Sequence, residues 1–275
     1  MGKLSDHTRH ADTVCAVDVG ALLEWYERVR RPLPWRETRD PYALLVSEVM
    51  LQQTQALRVV PYYERWLERF PDVGALAGAP TREVLSLWSG LGYNRRAVAL
   101  QNAARVVASS GWPDDLTALP GVGPYTAAAV SSFAWDVQVA AVDTNVRRVL
   151  SRRDGVFHAP RALAERAASL LPEGRAATFN QAMMELGATV CRPRAPLCEA
   201  CPVAPGCGGP LPVVPRAAKT VRFEDTDRWA RGRVVAALLA GEEPPVHGER
   251  LQRAVTGLER DGLVVRAADG SIHLP

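Results

Sequence analysis

Four cysteines gathered within 17 positions constrain this chain more than any other feature of its sequence. Cys191, Cys198, Cys201 and Cys207 follow the pattern Cys-x6-Cys-x2-Cys-x5-Cys, and Cys15 stands apart from them. In a cytosolic chain such a cluster favours a metal centre over disulfides, because thiols stay reduced there. Four thiolates can hold one tetrahedral zinc or one [4Fe–4S] cluster, and the spacing alone leaves both open.

The composition agrees with a cytosolic globular chain. Its 275 residues suggest about two domains, and a hydrophobic share of 47% is too high for a disordered protein. The formal net charge of +3 is too small to identify a partner. No apolar run approaches the ~20 residues of a membrane span, and the first residues lack a signal-peptide core. We therefore expect a cytoplasmic protein with no membrane partner.

Helical periodicity dominates the sequence up to residue 208. The predicted helices span 20–29, 40–57, 60–70, 83–88, 95–109, 115–119, 124–135, 143–151, 160–171 and 177–190. Because no alternating strand pattern precedes residue 210, the body of the chain is predicted to be all-α. Residues 1–17 show no periodic pattern and are predicted to be a flexible tail.

The C-terminal part of the chain carries a different pattern. Glycine and proline mark residues 209–220 as a linker. Two helices are predicted beyond it at 227–239 and 248–261, and two strands follow around the turn Asp269-Gly270. Helices followed by such a hairpin suggest a small winged-helix-like module at 221–275.

The segment 119–128 joins two short helices through a Pro-Gly-Val-Gly-Pro turn. Gly121 and Gly123 allow unusual backbone angles and, with Val122 between them, leave amide N–H groups uncovered. Pro124 begins the next helix, so these donors lie at a helix N-terminus, where a DNA phosphate can bind. A plain helix–turn that uses glycine only for its geometry is the alternative.

A second polar segment begins with Asp143 and Asn145 and continues with several arginines. Asp143 precedes a predicted helix, and the ordinary interpretation is an N-cap followed by a solvated basic face. The basic residues are alternatively suited to phosphate contacts. They are Arg147, Arg148, Arg152 and Arg153.

A third polar group lies within the predicted helix 40–57. Glu48, Gln52 and Gln55 occupy positions i, i+4 and i+7, so they share one face of a helix. Such a stripe is usually exposed to solvent. Because the surrounding residues are mostly apolar, a pocket lined by these side chains is the alternative.

Together these motifs resemble the helix-hairpin-helix DNA glycosylases of the endonuclease III superfamily, and within it the MutY adenine glycosylases. The resemblance covers roughly residues 22–208, and its ordered motifs make it specific. The carrying segments are LPWRETRDPYALLVSEVMLQQTQ, LWSGLGYNRRA, LPGVGPYTAAAV, VDTNVRRVL, FNQAMMELGATVC and the four cysteines.

The resemblance implies a two-lobed all-α fold and a [4Fe–4S] cluster rather than zinc. A six-helix barrel with the helix-hairpin-helix would span 31–136, and an iron–sulfur lobe would combine 18–30 with 137–208. Double-stranded DNA containing a mismatch or lesion would bind between the lobes with the target base extruded. A monomer associated with the nucleoid is the default for such a protein.

The resemblance also implies the roles of four active-site residues. Asp143 corresponds to the catalytic carboxylate, and Glu48 to the glutamate that protonates adenine at N7. Tyr125 corresponds to the tyrosine beside the pocket, and Asn145 to the supporting asparagine. Breaking an N-glycosidic bond builds positive charge on the sugar and negative charge on the base, and two carboxyl groups in different protonation states meet both needs.

The resemblance further implies the residues that contact DNA. Gln53, Thr54, Leu91 and Tyr93 correspond to residues that wedge into the duplex and contact the opposite base. The remaining expected contacts are Gln52, Gly121, Val122, Gly123 and Arg147. Superfamily members that also cut the strand place a lysine at the position of Tyr125. Since tyrosine cannot form that Schiff base, we predict base removal alone.

Three features of the sequence bear on how far the resemblance extends: the residue after Asp143, the residue after Tyr93 and the C-terminal segment. Thr144 follows Asp143 where the best-known adenine glycosylases have glycine, and Asn94 follows Tyr93 in the loop that contacts the opposite base. The C-terminal segment is too short for the Nudix-related domain with which MutY proteins recognise 8-oxoguanine. Two alternatives therefore accompany an adenine glycosylase: a related enzyme that removes T, U or another base, and a non-enzymatic DNA-binding protein.

Overall fold

A computed structural model describes residues 17–211 and 221–275 of the chain. The predicted tail, apart from Val17, lies outside these residues, as do positions 212–220 of the predicted linker. None of the helices in the described ranges is both long and apolar enough to span a membrane.

The expected all-α class is confirmed, since the described residues contain α-helices and one two-stranded hairpin. The helices are α1 (Val19–Val29), α2 (Pro41–Leu51), α3 (Ala56–Arg69), α4 (Val73–Gly78), α5 (Thr81–Trp88), α6 (Arg95–Ser110), α7 (Pro124–Trp135), α8 (Thr144–Asp154), α9 (Pro160–Ala168), α10 (Ala176–Thr189), α11 (Asp227–Ala240) and α12 (Gly248–Arg260). The strands are β1 (Val265–Arg266) and β2 (Ile272–His273).

The first compact unit, here the cysteine unit, comprises residues 17–31 and 136–211. It contains α1 and α8–α10, and its apolar core includes Leu22, Leu150 and Phe179. Burial of such side chains is the main force that holds the helices together. Glu185 of α10 is fully buried and accepts two hydrogen bonds from the guanidinium of Arg31, at 2.7 and 2.8 Å.

The second compact unit, here the large unit, comprises residues 32–135 and 221–275. It contains α2–α7, α11, α12 and the strands, around one continuous apolar core. The ring of Trp66 lies edge-on to those of Phe70 and Trp88, at centroid distances of 5.1 and 5.5 Å. Edge-on pairs of this kind stabilise a core beyond the area they bury.

Residues 221–275 form the helices and the hairpin that the sequence predicts. Thr226 caps α11, and Gly241 ends it in the left-handed conformation with φ of 73°. The strands pair antiparallel, with Val265 opposite His273, around the turn at Asp269-Gly270. α11 packs against α5, and Arg82 of α5 donates to the carbonyl of Leu239 at 2.8 Å.

The predicted helix over 40–57 is wrong beyond Leu51, where the chain leaves the helix. α2 ends at Leu51, a turn follows, and Gln55 is the N-cap of α3. Gln53 has a φ of 59°, which no α-helix allows. Consequently Glu48, Gln52 and Gln55 do not lie on one continuous helix face.

Candidate active site

Asp143 is the N-cap of α8, and both of its carboxylate oxygens are held by neighbours. Oδ1 accepts a hydrogen bond from the backbone N–H of Val146 at 2.7 Å, and Oδ2 accepts one from Nδ2 of Asn145 at 2.7 Å. Burial raises the pKa of Asp143 above its ordinary value, while these hydrogen bonds oppose the rise. The result is a fixed carboxyl group in a place that disfavours its negative charge.

Asn145 connects Asp143 to a further network inside the cysteine unit. Its Oδ1 accepts a hydrogen bond from Nη2 of Arg148 at 2.9 Å. Arg148 also donates to the backbone carbonyls of Gly187, at 2.6 Å, and Cys191, at 2.8 Å. We call residues 191–207, which contain the four clustered cysteines, the cysteine segment. The chain of contacts therefore runs from the carboxylate of Asp143 to Cys191, the first residue of this segment.

Gly187 allows α10 to pass close to Asn145. A Cβ atom at Gly187 would lie 2.5 Å from the Cβ of Asn145 and 3.1 Å from its Cα. No larger residue fits there without displacing the start of α8. The amide of Asn145 is thus positioned from two sides, by Arg148 and by the backbone of α10.

The arginines at the end of α8 hold the cysteine segment and are buried, which excludes them as phosphate contacts. Arg152 donates to the carbonyls of Arg192 and Pro193 at 2.7 and 2.9 Å, and only 7% of it is exposed. Arg153, 4% exposed, donates to the carbonyl of Val203 at 2.6 Å. Of the predicted basic residues, Arg147 is the one whose side chain faces solvent.

The four cysteines of the cysteine segment are free thiols, and those of Cys191 and Cys201 are partly buried. Burial raises the pKa of Cys201, and the thiols of Cys191, Cys207 and Cys198 raise it further. Within 17–211 and 221–275, no three His, Cys, Asp or Glu side chains are placed as a ready ion site. The donor chemistry nevertheless fits a cluster, because the segment gathers four soft sulfur ligands.

N–H groups face two of these sulfurs. Nη1 of Arg152 lies 3.5 Å from Sγ of Cys191, and the backbone N–H of Gly209 donates to Sγ of Cys207 at 3.5 Å. Hydrogen bonds to a ligating sulfur tune the metal that the sulfur binds.

Glu48 and Tyr125 belong to the large unit, on two helices that pack against each other. Glu48 lies in α2 with 5% of its surface exposed, among the few charged side chains buried in the described residues. Tyr125 is half-buried in the first turn of α7. A carboxyl group is one of the side chains that can act as a general acid.

The turn before α7 is closed by a backbone hydrogen bond and contains a glycine in the left-handed conformation. Gly121 has a φ of 76°, and a Cβ there would lie 2.7 Å from the Cβ of Ala99. The N–H of Val122 donates back to the carbonyl of Leu119 at 3.1 Å, which closes the turn. Gly121 and Gly123 are exposed at the N-terminus of α7, where an anion is favoured.

Two loops of the large unit carry the residues expected to enter the duplex. Gln53, between α2 and α3, and Tyr93, between α5 and α6, both have left-handed backbone angles, with φ of 59° and 50°. Such a conformation costs energy in residues other than glycine and persists only where the surroundings impose it.

Arg96 of α6 connects these two loops. Nη1 donates to the carbonyls of Val49 and Gln52, both at 2.7 Å, while Nη2 donates to that of Gly92 at 3.0 Å. Its guanidinium also lies 5.1 Å from the ring centroid of Trp88. A buried guanidinium with five donors can satisfy carbonyls of both loops at once.

The residues expected to enter or contact the duplex differ in how far they are exposed to solvent. Gln53 is exposed, whereas Gln52, Thr54 and Tyr93 are partly buried. Leu91 is 7% exposed and belongs to the apolar core of the large unit.

Sequence comparisons assign this arrangement to a known family. Residues 46–173 match the model of the HhH-GPD superfamily base excision DNA repair proteins. The adenine DNA glycosylase of Mycolicibacterium smegmatis (strain ATCC 700084 / mc(2)155) is 42% identical over 278 residues, which cover 92% of this chain and 94% of that protein. The chain belongs to the adenine DNA glycosylase family. It is therefore a DNA glycosylase of base excision repair, as the sequence predicts, and DNA is its partner.

Two further relatives of this glycosylase show how far the likeness extends. The adenine DNA glycosylase of Rattus norvegicus is 46% identical over 207 residues, covering 68% of this chain and 40% of that protein. A thermostable thymine-DNA glycosylase of known structure superimposes with a TM-score of 0.64 at 34% identity, covering 69% of this chain and 93% of that chain.

Arg96 and Gly187 are the site residues that sequence reasoning missed. Arg96 lies in the run Asn94-Arg95-Arg96, and nothing in that run distinguishes the buried arginine from the exposed one. Gly187 did carry a signal, because an isolated glycine inside a helical pattern indicates a close approach of another segment.

Proposed function

We propose that this glycosylase removes adenine mispaired with 8-oxoguanine or guanine in double-stranded DNA, without cutting the strand. The observation that carries the proposal is the held carboxylate of Asp143, with its oxygens 2.7 Å from the Val146 N–H and the Asn145 amide. A carboxylate fixed in a partly desolvated place can stabilise the positive charge that develops on the sugar. The specificity for adenine is supported by the relatives that match along most of their length.

Glu48 is the proposed general acid. It would protonate adenine at N7, which turns the base into a better leaving group before the N-glycosidic bond breaks. Asp143 stabilises the resulting oxocarbenium ion or traps it covalently, and water then completes the hydrolysis. Tyr125 lies beside the pocket in this proposal. A tyrosine in place of a lysine forms no Schiff base with the sugar, so the strand stays intact.

The proposed DNA contacts come from two kinds of feature. The exposed amides at Gly121 and Gly123, together with Arg147, would bind backbone phosphates. Gln53, Thr54 and Tyr93 would enter the duplex beside the extruded base and contact its former partner, since a base must leave the stack before an enzyme can reach its glycosidic bond. Leu91 would support this wedge from within the core.

We also propose a [4Fe–4S] cluster held by Cys191, Cys198, Cys201 and Cys207. The cluster would crosslink the segment that Arg148, Arg152 and Arg153 bind through its carbonyls, and so stabilise the network that ends at Asp143. Iron, sulfide and zinc analysis of the purified protein tests this assignment. About four irons and little zinc per chain are expected.

The protein is also proposed to act as a monomer in the cytoplasm, where it would associate with the nucleoid.

A single-turnover assay tests the proposed reaction. Duplexes that differ in one pair (A:8-oxoG, A:G, T:G, U:G and hypoxanthine:T) are incubated with excess enzyme, and products are separated before and after alkali. Loss of adenine visible only after alkali supports the proposal. Strand cuts without alkali would show that the argument from Tyr125 is wrong, whichever base is removed.

Removal of thymine or uracil is the second candidate function. It is favoured by the structural likeness to a thermostable thymine-DNA glycosylase, whose chain is matched over 93% of its length. In the same assay, cleavage of T:G or U:G with adenine untouched would identify this activity.

A further inference from the structure

Arg228 of the C-terminal module, residues 221–275, touches a residue of the proposed wedge. It lies in the first turn of α11, and its guanidinium is 4.7 Å from the ring centroid of Tyr93. Nη1 of Arg228 also donates a hydrogen bond to the hydroxyl of Tyr93. These contacts link residues that are 135 positions apart in the sequence.

The guanidinium of Arg228 contacts two aromatic rings. Besides Tyr93, it contacts Phe223, whose ring centroid is 4.7 Å away. Cation–π contacts and a hydrogen bond from a charged donor are directional, so together they restrict how the ring of Tyr93 can rotate.

The start of α11 is itself well anchored. Oγ1 of Thr226 accepts from the N–H of Trp229 at 3.3 Å and donates to the carbonyl of Phe223 at 2.6 Å. The guanidinium of Arg250, from α12, stacks 5.1 Å from the ring of Trp229. The helix then packs against α5, which leads directly into the Tyr93 loop. These contacts fix the first turn of α11, which carries Arg228 next to Tyr93.

Two guanidinium groups contact the ring of Tyr93. Arg96 lies 5.6 Å from its ring centroid within the large unit's core, and Arg228 lies against it from the C-terminal module. The backbone of Tyr93 is in a left-handed conformation that the surroundings must impose. Without Arg228 the backbone stays braced through Arg96, whereas the phenol ring loses the hydrogen bond at its hydroxyl.

We propose that Arg228 is a positioning residue that fixes the ring of Tyr93, so that the C-terminal module takes part in recognising the base opposite the excised one. The proposal rests on the role given to Tyr93 under the proposed function. It assigns this short module a specificity role that needs no lesion-binding pocket of its own.

Binding measurements that involve no chemistry test the inference. Wild type, Arg228→Met and a control, Arg233→Met, are titrated by fluorescence anisotropy against duplexes with a tetrahydrofuran abasic site opposite 8-oxoguanine, guanine or cytosine. Methionine keeps most of the side-chain length but removes the charge and the donors. Arg233 is an exposed arginine on the same helix. We expect Arg228→Met to lower the discrimination among opposite bases about fivefold, and Arg233→Met to leave it unchanged.

A second background shows whether Arg228 acts through Tyr93. In the Tyr93→Ala protein, the further change Arg228→Met should alter discrimination by less than about twofold, because Arg228 then has no ring to position. Unchanged discrimination in Arg228→Met alone would overturn the proposal. So would an equal loss of affinity for all three duplexes with a salt slope reduced by about one, since that marks a direct phosphate contact.

The same set of proteins separates this inference from the proposed function. If wild type releases no adenine from any duplex, the proposed reaction fails, while the anisotropy comparison still decides the role of Arg228. If adenine is released and Arg228→Met discriminates like wild type, the inference fails alone.

Discussion

Arg96 of the large unit and Arg148 of the cysteine unit both bind backbone carbonyls, but they connect these carbonyls to different groups. Each uses a guanidinium to hold backbone carbonyls of segments that are distant in sequence. Arg96 holds two loops against each other and faces aromatic rings, and burial lowers its pKa to about 10. Arg148 instead reaches the amide of Asn145, and through it the carboxylate of Asp143.

Arg96 supports the conformation of two loops, whereas Arg148 supports a side chain with a proposed chemical role. Arg96 supports residues whose proposed task is to enter the duplex, so its loss should act first on stability and loop conformation. The Arg148 network ends on a group that must carry charge in the proposed reaction, so disturbing it should act first on the rate. Variants placed on each side of this comparison can show whether the two roles are distinct.

Asp143→Asn should have the largest effect, and it should fall mainly on the rate of base release. Asparagine keeps the N-cap of α8, so the fold should be preserved. The single-turnover rate of base release should fall by about 10³-fold, because the charge that stabilises the oxocarbenium ion is lost. Quench-flow kinetics, with thermal unfolding of the same sample, measures both. A loss of less than about tenfold would show that another group supplies this stabilisation.

Arg96→Met should have the next largest effect, on the free energy of unfolding. Several carbonyls would lose their donor, and each unsatisfied buried acceptor costs about 1–3 kcal/mol. Allowing for partial rehydration, we expect a loss of about 3 kcal/mol in urea unfolding.

Arg95→Met is the matched control, because Arg95 is the exposed neighbour of Arg96 on the same helix. Its effect should stay within about 0.5 kcal/mol. Equal effects of the two variants would contradict the bracing role. Arg96→Lys should not restore stability, since an ammonium cannot reach carbonyls of both loops in one plane.

The sequence predicted the helical body well, and the reasons are local. Caps such as Asp40-Pro41, Thr226 and Gly241 mark helix ends through nearby residues, and periodic apolar positions mark the helices themselves. The end of α2 was missed because its cause is distant. No local pattern in the sequence marks Arg96, yet it donates to the carbonyls of Val49 and Gln52 and so stabilises the turn at Gln53.

The candidate site was predicted by resemblance more than by pattern. Asp143 alone indicates only an N-cap, and the structure does use it as one. Its proposed second task rests on burial and on the Asn145 amide, neither of which a linear sequence displays. The arginines at the end of α8 show the converse. Arg152 and Arg153 looked suited to phosphates, but they are buried against the cysteine segment.

Gly187→Ala should have a smaller effect, and it should lower both the stability of the fold and the rate of base release. The new Cβ would lie 2.5 Å from the Cβ of Asn145, so α8 or α10 must shift. Overpacking of this kind costs about 1–3 kcal/mol, and the displaced amide should also slow base release.

The control for Gly187→Ala is Gly232→Ala in α11, where no atom lies within 4 Å of an added Cβ. Because alanine is the better helix former, Gly232→Ala should stabilise by about 0.5–1 kcal/mol. Urea unfolding of both variants measures the contrast. If Gly187→Ala also proved stabilising, the close approach of α10 to Asn145 would be refuted.

The smallest expected effect is a pH-dependent difference in stability between Asp143→Asn and wild type. Burial raises the pKa of Asp143 in the folded state, so over the interval between the unfolded and folded pKa values the folded protein binds more protons. The stability of wild type therefore falls as pH rises through the folded pKa, and the asparagine variant escapes this loss. Thermal unfolding between about pH 4 and pH 8 should show the variant gaining on wild type as pH rises. If wild type instead gained on the variant as pH rises, the hydrogen bonds from Val146 and Asn145 would outweigh burial, and the network would then stabilise the charge of Asp143.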